Sequence, residues 1–131
     1  MTSQWTRREK RVMARLGLKR VPMSGSSPLD KEDGKSERIL AQLKSTNGRS
    51  VTLHFDDLQE LRKNAAIAGG KKPLFILDFA HENVLLLCML FKDHEAISEE
   101  LLRLEIDDVA ESEKNAQTMH RQASPDLDML L

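Results

Sequence analysis

The sequence predicts an α/β fold: a central mixed sheet flanked by helices, followed by a C-terminal extension that is helical and then disordered. Three observations carry that expectation. Segments of helical and strand periodicity follow one another as helix, three strands, helix, two strands and a further helix. The two most apolar runs, Pro73 to Phe79 and Val84 to Phe91, have the length of buried strands. Beyond Asp107 the apolar pattern dissolves into Glu, Asp, Ser, Gln and Asn.

Each element has its own local reason. Residues 5–16 read as a helix because Trp5, Val12, Met13 and Leu16 recur at helical spacing and Gly17 supplies a stop. Lys19 to Pro22 is a short extended piece, followed by the loop residues Ser24-Gly25-Ser26-Ser27-Pro28 and a charged run from Asp30 to Glu37. Arg38 to Ser45 is a strand with Ile39, Ala41 and Leu43 on one face and Leu40, Gln42 and Lys44 on the other. Asn47-Gly48 is a two-residue hairpin signal, and Arg49 to Phe55 is expected to return as a second strand.

Asp56 or Asp57 is expected to cap a helix that reaches about Ala68, with Leu58, Leu61 and Ala65 inward and Gly69-Gly70 ending it. Two apolar strands then flank a polar turn at His81-Glu82-Asn83. A final amphipathic helix is expected from Glu95 to about Ile106, with Ile97, Leu101, Leu104 and Leu102 on its apolar side. The expected organisation is a core domain over residues 1–93 and an acidic extension over 94–131.

Composition excludes several classes. No apolar run approaches the roughly 20 residues of a membrane-spanning helix, and no apolar segment follows the basic N-terminal stretch, so neither a membrane protein nor a secretory signal is expected. A single cysteine, Cys88, rules out an internal disulfide and a cysteine-based zinc cage, and it suits a reducing cytoplasm. The near-neutral net charge of -1 hides an asymmetry. Residues 1–72 carry 16 Lys and Arg against 8 Asp and Glu, a net of +8, while residues 73–131 carry 4 against 13, a net of -9. A basic first half points to a polyanion, and Arg7, Arg8 and Arg11 on the first helix, with Lys19 and Arg20 after it, are the expected phosphate contacts. Ser24 and Ser26 join them through hydroxyls and loop amides. With no Tyr, four Phe and one Trp there is no base-stacking platform, so contact is expected mainly with phosphates.

The chemistry is expected between Asp33 and Lys44. Asp33 lies in a loop, and nine residues later Gln42 and Lys44 share one strand face, so an amide oxygen and an ammonium project together toward the loop carboxylate. A hard divalent cation takes such oxygen ligands, and Glu9 on the first helix supplies another carboxylate. A lysine beside the metal orients the attacking water and stabilises transition-state charge. The four histidines share no metal-binding spacing, and Cys88 reads as an inert core thiol.

This series resembles the PD-(D/E)xK nuclease superfamily, closest to its small Holliday-junction-resolvase-like endonucleases of phages and archaea. The resemblance spans roughly Thr6 to Phe91 and rests on an ordered set: Glu9, Lys19 to Ser26, Asp33, Gln42 to Thr46, a hairpin strand from Ser50 to Leu53, Asp56 to Leu58 and Gly70 to Phe79. It implies a restriction-endonuclease-like core. It also implies a catalytic set of Glu9, Asp33, Gln42 and Lys44, with Mg²⁺ (or Mn²⁺) held by the first three. Further implications are branched DNA as substrate, a symmetric homodimer and a bacterial, archaeal or phage-infected cytoplasm. Gln42 stands where Glu or Asp is usual, and Asp30 competes with Asp33 for the loop position. The alternative is a non-catalytic DNA-binding or regulatory protein on a nuclease-like fold. The end of the chain, Asp126 to Leu131, resembles the short motifs that dock on the sliding clamp, with Asp126 in place of their leading Gln.

Overall fold

Helix α1 (Gln4–Leu16) opens the chain with its apolar residues gathered into one stripe, and that stripe decides how the rest assembles. The computed structural model describes residues 4–21 and 33–123, the last seven of these as backbone only. Val12 and Met13 are buried while Arg7, Arg11 and Arg15 of α1 are exposed. Gly17 ends the helix in a left-handed conformation (φ 76°), letting Leu18 N–H reach back to the Met13 carbonyl at 2.9 Å.

Five strands form one sheet in chain order: β1 (Lys19–Arg20), β2 (Gly34–Lys35), β3 (Ile39–Thr46), β4 (Lys72–Phe79) and β5 (Val84–Met89). All neighbours are antiparallel except β3 and β4, which run parallel from Ile39↔Lys72 to Thr46↔Phe79. A parallel pair requires a crossover, and α2 (Phe55–Ile67) provides it. The sheet is therefore mixed and flanked by helices, as its sequence implies.

Alternation along β3 and β4 divides the core in two. Ile39, Ala41, Leu74 and Ile76 pack beneath α1 and α3 (His94–Ala123) with Val12, Met13, Leu18 and Ile97. Leu40 and Phe75 point the other way, against Leu61 and Ala65 of α2. Burial of these side chains, at about 25 cal/mol per Å² of apolar surface, is what holds both layers to the sheet.

Several expectations are corrected. Residues 50–54 form no strand, and the Asn47-Gly48 hairpin is absent. β4 takes one edge of β3 along its whole length, from Ile39 to Thr46, and on the other edge β2 pairs with Leu40 and Ala41 while Asp33 Oδ2 takes the Leu43 N–H. The third strand is instead β2, inside the charged run, where Gly34 allows the close approach of Met13 that any Cβ would block. The N-cap of α2 is His54, without a side-chain capping bond; Asp56 and Asp57 lie in the first turn, where they complement the helix dipole.

The last helix does not stop near Ile106 but continues to Ala123. Its distal part lacks an apolar face yet is rich in good helix formers, and at its start Arg103 pairs with Asp107, 3.0 Å away. Nor does a domain boundary fall at residue 93. Ile97 belongs to the core with Leu101 and Leu104 packed against it, and buried Glu100 accepts hydrogen bonds from Ser36 Oγ (2.6 Å) and Arg38 N–H (2.9 Å). Leu102, expected inward, is exposed.

Candidate functional site beneath the first helix

The odd-numbered residues of β3 face α1, and toward the carboxyl end of the strand they change from apolar to polar. Ser45 is in register with Asp78 of β4, and its hydroxyl donates to Asp78 Oδ2 at 2.9 Å. Arg8 reaches down from α1 to the same carboxylate, Nε to Oδ2 at 2.8 Å and Nη2 to Oδ1 at 2.7 Å. Asp78 is fully buried. Burial alone would push its carboxyl up, but the bonds from Arg8 and Ser45 outweigh that and hold it below the ordinary carboxylate range.

The next residue of α1, Glu9, faces a common pocket of about 340 Å³ with Asp33, lined also by Trp5, Leu43 and Ser45. Asp33 is held there by β3: its N–H donates to the Ala41 carbonyl at 3.0 Å, and its Oδ2 accepts the Leu43 N–H at 2.7 Å. Arg20 donates to Glu9 Oε1 at 3.1 Å. Burial and then the charge of Asp33 raise the Glu9 carboxyl above its usual range, against the opposing pull of Arg20. Two carboxylates that repel one another across a pocket favour a proton or a cation between them.

The four residues expected to act together are divided by the sheet. Glu9 and Asp33 meet on the α1 side. Gln42 and Lys44 alternate with Leu43 and Ser45 and lie on the face covered by α2, where Lys44 Nζ pairs with Asp57 Oδ2 at 3.1 Å. The common pocket expected for Asp33, Gln42 and Lys44 is thus not formed. The reason is the period of two: Asp33 turns out of the ladder to bond with Leu43, and the neighbours of Leu43 necessarily face away.

Of the expected phosphate contacts, Arg7, Arg11 and Lys19 are exposed, whereas Arg8 and Arg20 are engaged with Asp78 and Glu9. Ser24, Ser26, Asp30 and the clamp-like end of the chain lie outside the described residues. Sequence reasoning missed Asp78 and Ser45. The signal for Asp78 was present, since an acid in the middle of PLFILDF must be partnered if the strand is buried.

Comparison with family models, with curated proteins and with solved structures finds no match to this chain. Among the described residues, no group of three or more His, Cys, Asp or Glu stands where it could hold a metal ion. None of the helices there is long and apolar enough to cross a membrane.

Proposed function

We propose that this protein is a metal-dependent endonuclease that hydrolyses phosphodiester bonds in branched DNA, such as a Holliday junction. The observation that carries the reading is the pairing of Glu9 and Asp33 in one pocket under a helix whose outer face is basic. Mg²⁺ (or Mn²⁺) fits this donor set, because Mg²⁺ is commonly held by one or two carboxylates and keeps waters or phosphate oxygens in its other positions. When bound, such an ion supplies an acidified water and offsets charge on the phosphoryl oxygens. Glu9 and Asp33 would hold it, Arg20 orients Glu9, the Leu43 amide orients Asp33, and Arg8 with Asp78 fixes α1 over the pocket. The resemblance to the PD-(D/E)xK nucleases supports the reading through α1, β3, α2 and β4, although the hairpin strand it includes at Ser50 to Leu53 is not formed. Cutting two strands of a junction extends the reading to a symmetric homodimer.

A second reading, a non-catalytic DNA-binding protein on a nuclease-like fold, is favoured by one observation: Lys44 is paired with Asp57 on the far side of the sheet. One assay separates the two. Incubation with Mg²⁺ or Mn²⁺ on linear, flapped and four-way DNA should yield cut products that vanish with chelator and in Glu9→Gln or Asp33→Asn. Salt-dependent binding without cutting on every substrate would select the second reading, and neither binding nor cutting would defeat both.

A further inference from the structure

Arg8, Arg11 and Arg15 recur at spacings of three and four along α1 and so form one stripe. Together with Val12, Asn83 and Leu85 the stripe encloses a cleft of about 160 Å³ between α1 and the turn that joins β4 to β5. This cleft shares no lining residue with the Glu9–Asp33 pocket. Its charge is unbalanced. Arg8 is neutralised by its two bonds to Asp78, but Arg11 and Arg15 are exposed and are held in no ion pair among the described residues. Two guanidinium groups therefore stand over an apolar floor of buried Val12 and half-buried Leu85. On the other wall Asn83 adopts a left-handed backbone (φ 56°), the only described non-glycine residue to do so, a conformation that asparagine tolerates better than most residues.

We propose that this cleft is a phosphate-binding site, holding a backbone phosphate of a nucleic acid strand that runs along α1. The geometry matches the chemistry of that ligand. Guanidinium groups pair with phosphate oxygens through parallel N–H bonds, an amide adds a neutral donor, and an apolar floor strengthens the attraction by lowering the local dielectric. From Glu9 to the middle of the Arg11–Arg15 pair the helix rises four residues, about 6 Å at 1.5 Å each, so the phosphate held here lies about two nucleotides from the pocket at a rise of 3.4 Å per nucleotide. The stripe ends at Arg15, which also lines the next cavity together with Glu105 of α3. The choice of nucleic acid over free phosphate rests on the DNA reading above.

The test uses the full chain and labelled duplex and four-way DNA, with affinity followed from 50 to 200 mM salt. Arg11→Gln with Arg15→Gln should lower the slope of log affinity against log salt by about 1.8, at roughly 0.9 per lost contact, and weaken binding about tenfold or more at 150 mM. Asn83→Ala should weaken binding with the slope unchanged, since it removes a neutral contact. Arg62→Gln with Lys63→Gln, exposed on α2, is the control and should alter neither. An unaltered slope in the double arginine variant, with wild-type DNA binding intact, overturns the cleft and leaves the DNA reading standing. Absence of DNA binding by the wild type overturns both. In that event, saturable binding of inorganic phosphate that the double variant loses would identify free phosphate as the ligand in place of nucleic acid.

Discussion

Arg8 and Asp78, seventy positions apart, meet through two parallel hydrogen bonds of 2.8 and 2.7 Å, and this pair ties α1 to the centre of the sheet. The carboxylate is fully buried, while the arginine retains some contact with water. Removing the partner of a buried charge costs about 3–5 kcal/mol. Arg8→Ala should therefore destabilise strongly in chemical denaturation, and more than Asp78→Ala, which leaves a cation that can still hydrate. The folded Asp78 carboxyl is depressed, so its contribution is present above the unfolded value near pH 3.9 and lost as pH falls through the folded one. The gap between wild type and Arg8→Ala should accordingly close at acid pH. A gap that stays constant to pH 2 would show that packing, not charge, is responsible.

Glu9 has the opposite sign. Its carboxyl is raised by burial and by Asp33, so the folded state binds its proton more tightly than the unfolded state does. Stability is lost as pH rises from the unfolded value through the folded one, and the ionised group is a burden at neutral pH. Glu9→Gln should melt at a higher temperature than wild type at pH 7 and at the same temperature at pH 3. Mg²⁺ should raise the wild-type melting temperature through binding to the folded state and leave Glu9→Gln nearly unmoved. A magnesium shift of equal size in both proteins would place the ion elsewhere.

Lys44 separates the two faces of β3. Its pairing with a half-exposed Asp57 predicts only a small change in melting temperature for Lys44→Ala, and its position behind the sheet predicts that any cleavage dependent on Glu9 and Asp33 persists. A folded Lys44→Ala protein without cleavage would move the chemistry to the α2 face, with Gln42.

The distal part of α3 should be dispensable for folding. Every side chain from Glu105 to Ala116 is exposed, so ending the chain after Asp108 removes little buried surface. Its melting temperature should stay within a few degrees of wild type. Ending it before Ile97 should instead prevent folding, because Ile97 and Glu100 are buried in the core. A well-folded protein lacking both would restore the boundary at residue 93.

The residues that pattern at short range already specified most of this molecule. Val12 and Met13 on a helical stripe, the alternation of Ile39, Ala41 and Leu43, and the unbroken apolar runs of β4 and β5 are local signals. They predict a mixed sheet flanked by helices because apolar faces must be buried against one another. Pairing was beyond their reach. Asn47-Gly48 signalled a hairpin, yet strand partners are chosen by competition for edges, and β3 found its second partner in β4, across a helix. The same holds for the site. Asp33 and Glu9 were legible as acids amid basic residues, but which β3 side chains they would meet depended on how Asp33 leaves the ladder to bond the Leu43 amide. One residue of register exchanges the two faces of a strand. Which segments bury apolar surface, and where the charge lies, follow from the local pattern of residues. That Ser45 and Asp78, rather than Gln42 and Lys44, stand beneath α1 emerges only on assembly, because register and strand pairing are properties of contacts between segments far apart in the chain.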